Sequence, residues 1–145
     1  MPKFDSEAER WYRTYPHFPG VATGINLIQS GKARGTWLEI IHQQWVEHAL
    51  IVLDDLYAAY HKVEPFIQAY IVEAIGAARI PAALPFLVEQ LRSPSADVRR
   101  WALWGIGHLD TRESRRALWE AQSIQFDDEA TTMEFQNELA QQINR

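Results

Sequence analysis

Apolar residues in the second half of the chain recur at helical spacing. Val98, Ala102, Gly105, Ile106 and Leu109 fall on one stripe, and Ile67, Ile71, Ala74 and Ile75 on another. Steps of three and four residues are those of a helix with one face in a core. The two stripes belong to one pattern used twice. A shift of 31 residues lays Ile67 on Val98, Tyr70 on Trp101, Ile71 on Ala102, Ile75 on Ile106, Gly76 on Gly107, Leu87 on Leu118 and Glu89 on Glu120. A fixed period of this length marks stacked helical units, none of which buries its apolar face alone.

The polar and breaking residues punctuate this pattern. Ser6 and Glu9 form a capping-box spacing before a short helix carrying Ala8, Trp11 and Tyr12. Two prolines and a glycine make 14–20 irregular, Val21, Ile25 and Ile28 predict a helix to Gln29, and Gly31 and Gly35 bound a basic, solvated loop. Residues 36–63 hold neither Gly nor Pro, so local rules draw one helix. The repeat register instead predicts helices over 36–46 and 51–62 with a turn at 47–50. Pro65 and Pro85 suit the first turns of helices 65–79 and 84–91, where a missing amide costs little. Ser95 or Asp97 caps a helix over 96–109, an Asp110-Thr111 link leads to one over 112–123, and a more polar helix over 129–143 closes the array. The expectation is eight or nine helices, no strands and a single domain over 1–145, with 1–35 as a divergent N-terminal capping segment.

The run from Ser95 to Asp110, with small or apolar residues after Val98-Arg99-Arg100 and then Ile106-Gly107, resembles a HEAT-like repeat of the short bacterial type also found in phycobilin lyases. Ile75-Gly76, a short link and Ala83-Leu84-Pro85-Phe86-Leu87 match that family's junction between helical pairs. The resemblance covers roughly the second half of the chain. It implies an all-α fold, an alpha-alpha superhelix of about four helical pairs, in which the second helix of each pair lines a concave side.

Six Trp, five Tyr and six Phe make the chain aromatic-rich, and such rings serve recognition as well as packing. The net charge of −5 disfavours nucleic acid on average, although a local basic patch overrides a mean. Absence of Cys removes disulfides, thiolate metal sites and cysteine nucleophiles and suits a reducing cytoplasm. The N-terminus carries no apolar signal region and no window suggests a membrane span.

Carrying the outward face of helix 96–109 along the period gives three rows: Glu39, Tyr70, Trp101 and Thr132; His42, Glu73, Trp104 and Phe135; Val46, Ala77, His108 and Leu139. An aromatic strip flanked by Glu39, Glu73 and Asp110 suits a protein-binding groove. The competing expectation is that Trp101 and Trp104 fill a shallow curve or pack on the N-terminal segment around Trp11 and Phe18. The candidate partner-binding residues are Glu39, His42, Tyr70, Glu73, Trp101, Trp104, His108 and Phe135. No catalytic residue, metal ligand or cofactor is assigned. The five His make no H-E-x-x-H cluster. The His-Glu pairs of the HEAT-like metalloenzyme deoxyhypusine hydroxylase are absent too. His42 and Glu73 on adjacent repeats would form a surface ion pair or, less commonly, an acid–base pair. Arg99 and Arg100 belong to the repeat's own element, where one guanidinium reaches an acid in a neighbouring turn, and Arg112, Arg115 and Arg116 form a second basic cluster.

The function expected is non-catalytic: a module that binds a protein partner on its concave face, as an adaptor or as an inhibitor or immunity-type protein masking a basic partner. It is expected to be cytoplasmic and a monomer or weak homo-oligomer, with no membrane association. The rival class is an enzyme or enzyme subunit, either a bilin lyase-like subunit or a DNA glycosylase-like nucleic-acid binder.

Overall fold

The computed structural model describes residues 6–144. The domain expected over 1–145 therefore includes residues 1–5 and 145, which lie outside the described residues. The described residues form α1 (Glu7–Thr14), α2 (Val21–Gln29), α3 (Thr36–Tyr60), α4 (Pro65–Ala77), α5 (Leu84–Gln90), α6 (Ala96–Leu109), α7 (Arg112–Glu120) and α8 (Glu129–Ile143). Short 3-10 turns at Pro81–Ala83 and Ala121–Ser123 precede α5 and follow α7. No strand occurs among the described residues.

The caps fall largely where side-chain chemistry puts them. Ser6 Oγ accepts from the Glu9 amide at 3.1 Å, and Ser95 Oγ from the Val98 amide at 3.4 Å. Thr111 and Ser114 satisfy each other's amides at the start of α7. Each bond occupies an amide that has no partner inside its own helix. Helices α4 and α6 end on left-handed residues one period apart, Arg79 at φ 52° and Asp110 at φ 50°. The repeat thus reaches into the backbone of its turns. Asp tolerates this region better than Arg, whose Cβ meets the following carbonyl at roughly 1–2 kcal/mol.

Helices α3, α4, α6 and α8 pack in series, while α5 and α7 lie against α6. Between them run Ile67, Ile71, Ile75, Leu87, Leu91, Val98, Ala102 and Ile106, all with no accessible surface. Each fully buried Ile or Leu contributes about 1.5–3 kcal/mol relative to its exposed state. The backbones of α4 and α6 nearly touch: a Cβ on Gly76 would lie 2.8 Å from the Gly105 Cα, and one on Gly105 3.0 Å from the Gly76 Cα. This approach offsets the roughly 1 kcal/mol that each glycine costs in a helix interior.

Within residues 36–60 the break that the repeat register predicts is present but displaced: no turn forms at 47–50, and two helical stretches meet at a kink at Val52, whose φ of −105° and ψ of 19° leave helical geometry. The halves answer to different neighbours. Ile41 and Trp45 pack under Gly24 of α2, whereas Tyr57 and Tyr60 pack their rings on Phe86 of α5. Insertion of side chains against two surfaces bends the helix without Gly or Pro.

The N-terminal segment docks on α3. Trp11 is fully buried, with its ring 4.7 Å from Tyr15 and 5.2 Å from Trp37, and Phe18 stacks on His48 at 4.2 Å. Trp37 Nε1 donates to the Glu7 carbonyl at 2.8 Å. None of these rings reaches Trp101 or Trp104, so the expectation that the two tryptophans pack on Trp11 and Phe18 does not hold.

Candidate functional site

Helix α4 carries Tyr70 and Glu73 on one turn, and α6 carries Trp101, Trp104 and His108 on the matching turns. The Gly76–Gly105 contact draws the two helices together, leaving Trp104 Cε3 3.7 Å from where a Gly76 Cβ would stand. Trp101 meets Trp104 edge-on at 5.6 Å and 88°, and Trp104 stacks on His108 at 4.5 Å and 20°. The three rings form a continuous, partly buried strip along α6.

On the α3 side, His42 Nε2 lies 3.6 Å from Glu73 Oε2, and the imidazole sits 6.5 Å from the Tyr70 ring. Adjacent repeats therefore bring the His42 and Glu73 side chains together. Burial pushes the Glu73 carboxyl above its ordinary range, and the His42 charge offsets part of that rise. His42 Nε2 has no hydrogen-bond partner among the described residues. Glu39 lies a turn earlier on α3 and is exposed.

Phe135 does not join this face. It is 1% exposed and packs against Phe126 at 5.4 Å, and Leu139 from the third row is equally buried. The physical reason lies in the last connection. Thirty-one residues after Pro65 comes Ala96, the first residue of α6, but the same step from Ala96 reaches Asp127, two residues before α8 begins at Glu129. Two residues turn a helix by about 200°. The rotation carries Phe135 into the core and sends Thr132 to the 126–128 turn, where its hydroxyl receives the Phe126 amide at 2.8 Å.

The rotation also brings acidic residues to the face that the sequence rows miss. Arg100 is held by Asp97 Oδ1 at 2.9 Å, Glu138 Oε1 at 3.2 Å and Glu134 Oε1 at 3.5 Å. Three carboxylates on one guanidinium keep it fully protonated, Glu138 contributing most. Beside this cluster Phe66, Tyr70, Glu73, Asp97, Arg100 and Trp101 line an open cavity of about 480 Å³. Phe66 is 54% exposed. Its place in the first turn of α4 gave no sequence signal, because its repeat equivalent is Asp97.

Three further arginines are occupied by contacts near them in the chain. Arg99 is buried, donates to the Ser93 carbonyl at 2.8 Å and lies over the Phe126 ring at 4.9 Å. Arg115 pairs with Asp110 at 2.9 Å and Arg116 with Glu120 at 3.0 Å. Among the described residues no group of three His, Asp or Glu side chains converges in a way that would hold a metal ion. No helix among them is long and apolar enough to cross a membrane.

Neither the curated proteins nor the solved structures yield a match to this chain. The family model described as HEAT repeats matches residues 53–131, which takes in the second part of α3, helices α4 to α7 and the start of α8. That span is more than half of the chain and contains both copies of the 31-residue pattern, so the protein belongs to the HEAT repeat family.

Proposed function

We propose that this protein is a non-catalytic binding module that holds a basic protein partner on the face built by α3, α4 and α6. HEAT repeats generally mediate protein–protein interaction, and the class of function rests on that membership. The observation that carries the assignment to this face is the Trp101–Trp104–His108 strip, partly exposed and bordered by Tyr70 and Glu73. Desolvated aromatic side chains supply most of the binding energy in typical interfaces. Glu39, His42, Tyr70, Glu73, Trp101, Trp104 and His108 contribute contacts in this reading; Phe135 supports α8 from within.

Charge favours a basic partner over nucleic acid. Arg100 is answered by three carboxylates, and Glu39 and Glu73 add to the negative field that steers a basic surface toward this face. Within this reading the module acts alone or as a weak homo-oligomer, with residues 1–35 as its cap. Stoichiometric masking of a basic partner, as an inhibitor or immunity-type protein does, or adaptor work, follows from the same surface. The absence of cysteine supports a cytoplasmic setting.

The test compares wild-type, Trp104→Ala and Tyr12→Ala proteins as immobilised baits; Tyr12 is 53% exposed on the N-terminal helix α1. The expected result is a protein retained by wild type and Tyr12→Ala and weakened by about 2 kcal/mol in Trp104→Ala, the hot-spot scale. The Trp104→Ala melting temperature should stay near that of wild type. Equal retention by all three baits removes this face as the binding site.

A further inference from the structure

We propose that the cavity between α4 and α6 receives an arginine side chain of the protein partner. This deepens the function proposed above and rests on it for the source of the arginine. Three features of the cavity point to a guanidinium.

The first is the wall. Phe66, Tyr70 and Trp101 supply aromatic rings on one opening of about 480 Å³, within the size range of ligand pockets. A cation near such rings is attracted by their quadrupoles, more strongly as water is excluded.

The second is the charge balance. Glu73 and Asp97 also line the cavity, and Glu134 and Glu138 stand against its rim through Arg100. Four carboxylates thus stand against the Arg100 guanidinium and the His42 imidazole that pairs with Glu73. Arg100 already binds Asp97, Glu134 and Glu138, which fixes it to the wall and leaves an uncompensated negative field. An anionic group entering the cavity would be repelled, and a purely apolar one would leave the carboxylates without a counter-charge.

The third is the match of shape to chemistry. A guanidinium is planar, less strongly hydrated than an ammonium and able to stack on a ring while its edge meets a carboxylate. Glu73 on α4 and Asp97 on α6 both line the cavity, so a planar group stacked on one of its rings has carboxylates within the same opening. Lysine would satisfy the charge but would not stack.

The experiment uses the ¹⁵N-labelled full chain and a hexa-arginine peptide, with hexa-lysine and hexa-glutamate at the same ionic strength. The expected result is a saturable shift of the Trp101 indole N–H and of the amides around Phe66–Glu73 and Asp97–Trp101. Binding should weaken about fivefold in Phe66→Ala and in Glu73→Gln, the scale of one lost aromatic or charged contact. Hexa-lysine should bind more weakly, and hexa-glutamate should leave these signals in place. Using both variants guards against loss of fold in either, and melting curves report that separately. An unmoved Trp101 signal, undiminished binding in both variants, or lysine binding as well as arginine overturns the proposal. If a protein is lost on Trp104→Ala while the Trp101 signal ignores hexa-arginine, the arginine assignment fails and the binding module stands. A saturable arginine site without any protein lost on Trp104→Ala sinks the module and supports the cavity's guanidinium preference.

Discussion

Glu73 shows how packing sets the ionisation of a single side chain. It is partly buried and pairs with His42 at 3.6 Å, and burial raises its pKa above the ordinary 4.5. The folded state therefore holds the proton more tightly than the unfolded chain. Stability from this group is fully present below the unfolded pKa and is lost as pH rises through the raised folded value. Glu73→Gln should remove that slope: the variant should melt at the wild-type temperature or above it at pH 7, with the difference shrinking as pH falls toward 4.5. Thermal melts across this range check it, and a variant clearly less stable than wild type at pH 7 would show that the ion pair outweighs desolvation. Tyr60 is the opposite case, a buried polar group that is fully used. Its hydroxyl donates to Gln90 Oε1 at 2.6 Å, so Tyr60→Phe strands a buried acceptor and should cost about 1–3 kcal/mol in urea unfolding.

At the scale of elements, the contact of α4 with α6 sets the spacing on which the aromatic strip depends. Gly76→Ala places a methyl 2.8 Å from the Gly105 Cα, where the obstacle is backbone and not a movable side chain. Overpacking of roughly 1–3 kcal/mol should exceed the gain of about 1 kcal/mol in helix propensity. A lower urea midpoint with an unchanged slope is expected; a raised midpoint would mean that the helices separate freely. The close approach was legible in part: glycines inside an apolar-periodic helix imply a neighbouring backbone. Which glycine meets which was not. The 31-residue period equates Gly76 with Gly107, yet Gly76 packs on Gly105, because residues equivalent in sequence need not be the ones that touch between stacked helices. The bend in α3 has the same origin. Nothing between Thr36 and Val63 breaks a helix, and the docking of its halves on α2 and α5 places the bend at Val52.

At the scale of the molecule, the first and last described helices join the array through different contacts. At the N-terminal end Trp11 is fully buried among Tyr15 and Trp37. Trp11→Ala should destabilise the chain by about 3–5 kcal/mol, read as a fall in the urea midpoint, since the void forms beneath α1 where it joins α3. A loss below about 1 kcal/mol would show that this segment adds little to the array. At the other end α8 is rotated relative to the repeat frame, burying Phe135 and Leu139 and turning Glu134 and Glu138 toward Arg100.

The sequence by itself determined the helical class, the period and the alignment of most of the candidate face from Glu39 to His108, because side chains at 3.6-residue spacing in identical units must line up wherever the units stack identically. The same regularity sets His42 beside Glu73. Only the tertiary structure decided where that regularity stops: two extra residues before α8 rotate its face by about 200°, and no local pattern records a rotation that depends on how a connection folds over its neighbours. Phe66 and Asp97 stand one period apart and line one cavity by the repeat's own regularity, but their unlike side chains keep them off any row of like residues. What the structure adds is how closely α4 and α6 meet, which depends on the packed pair and not on either repeat alone.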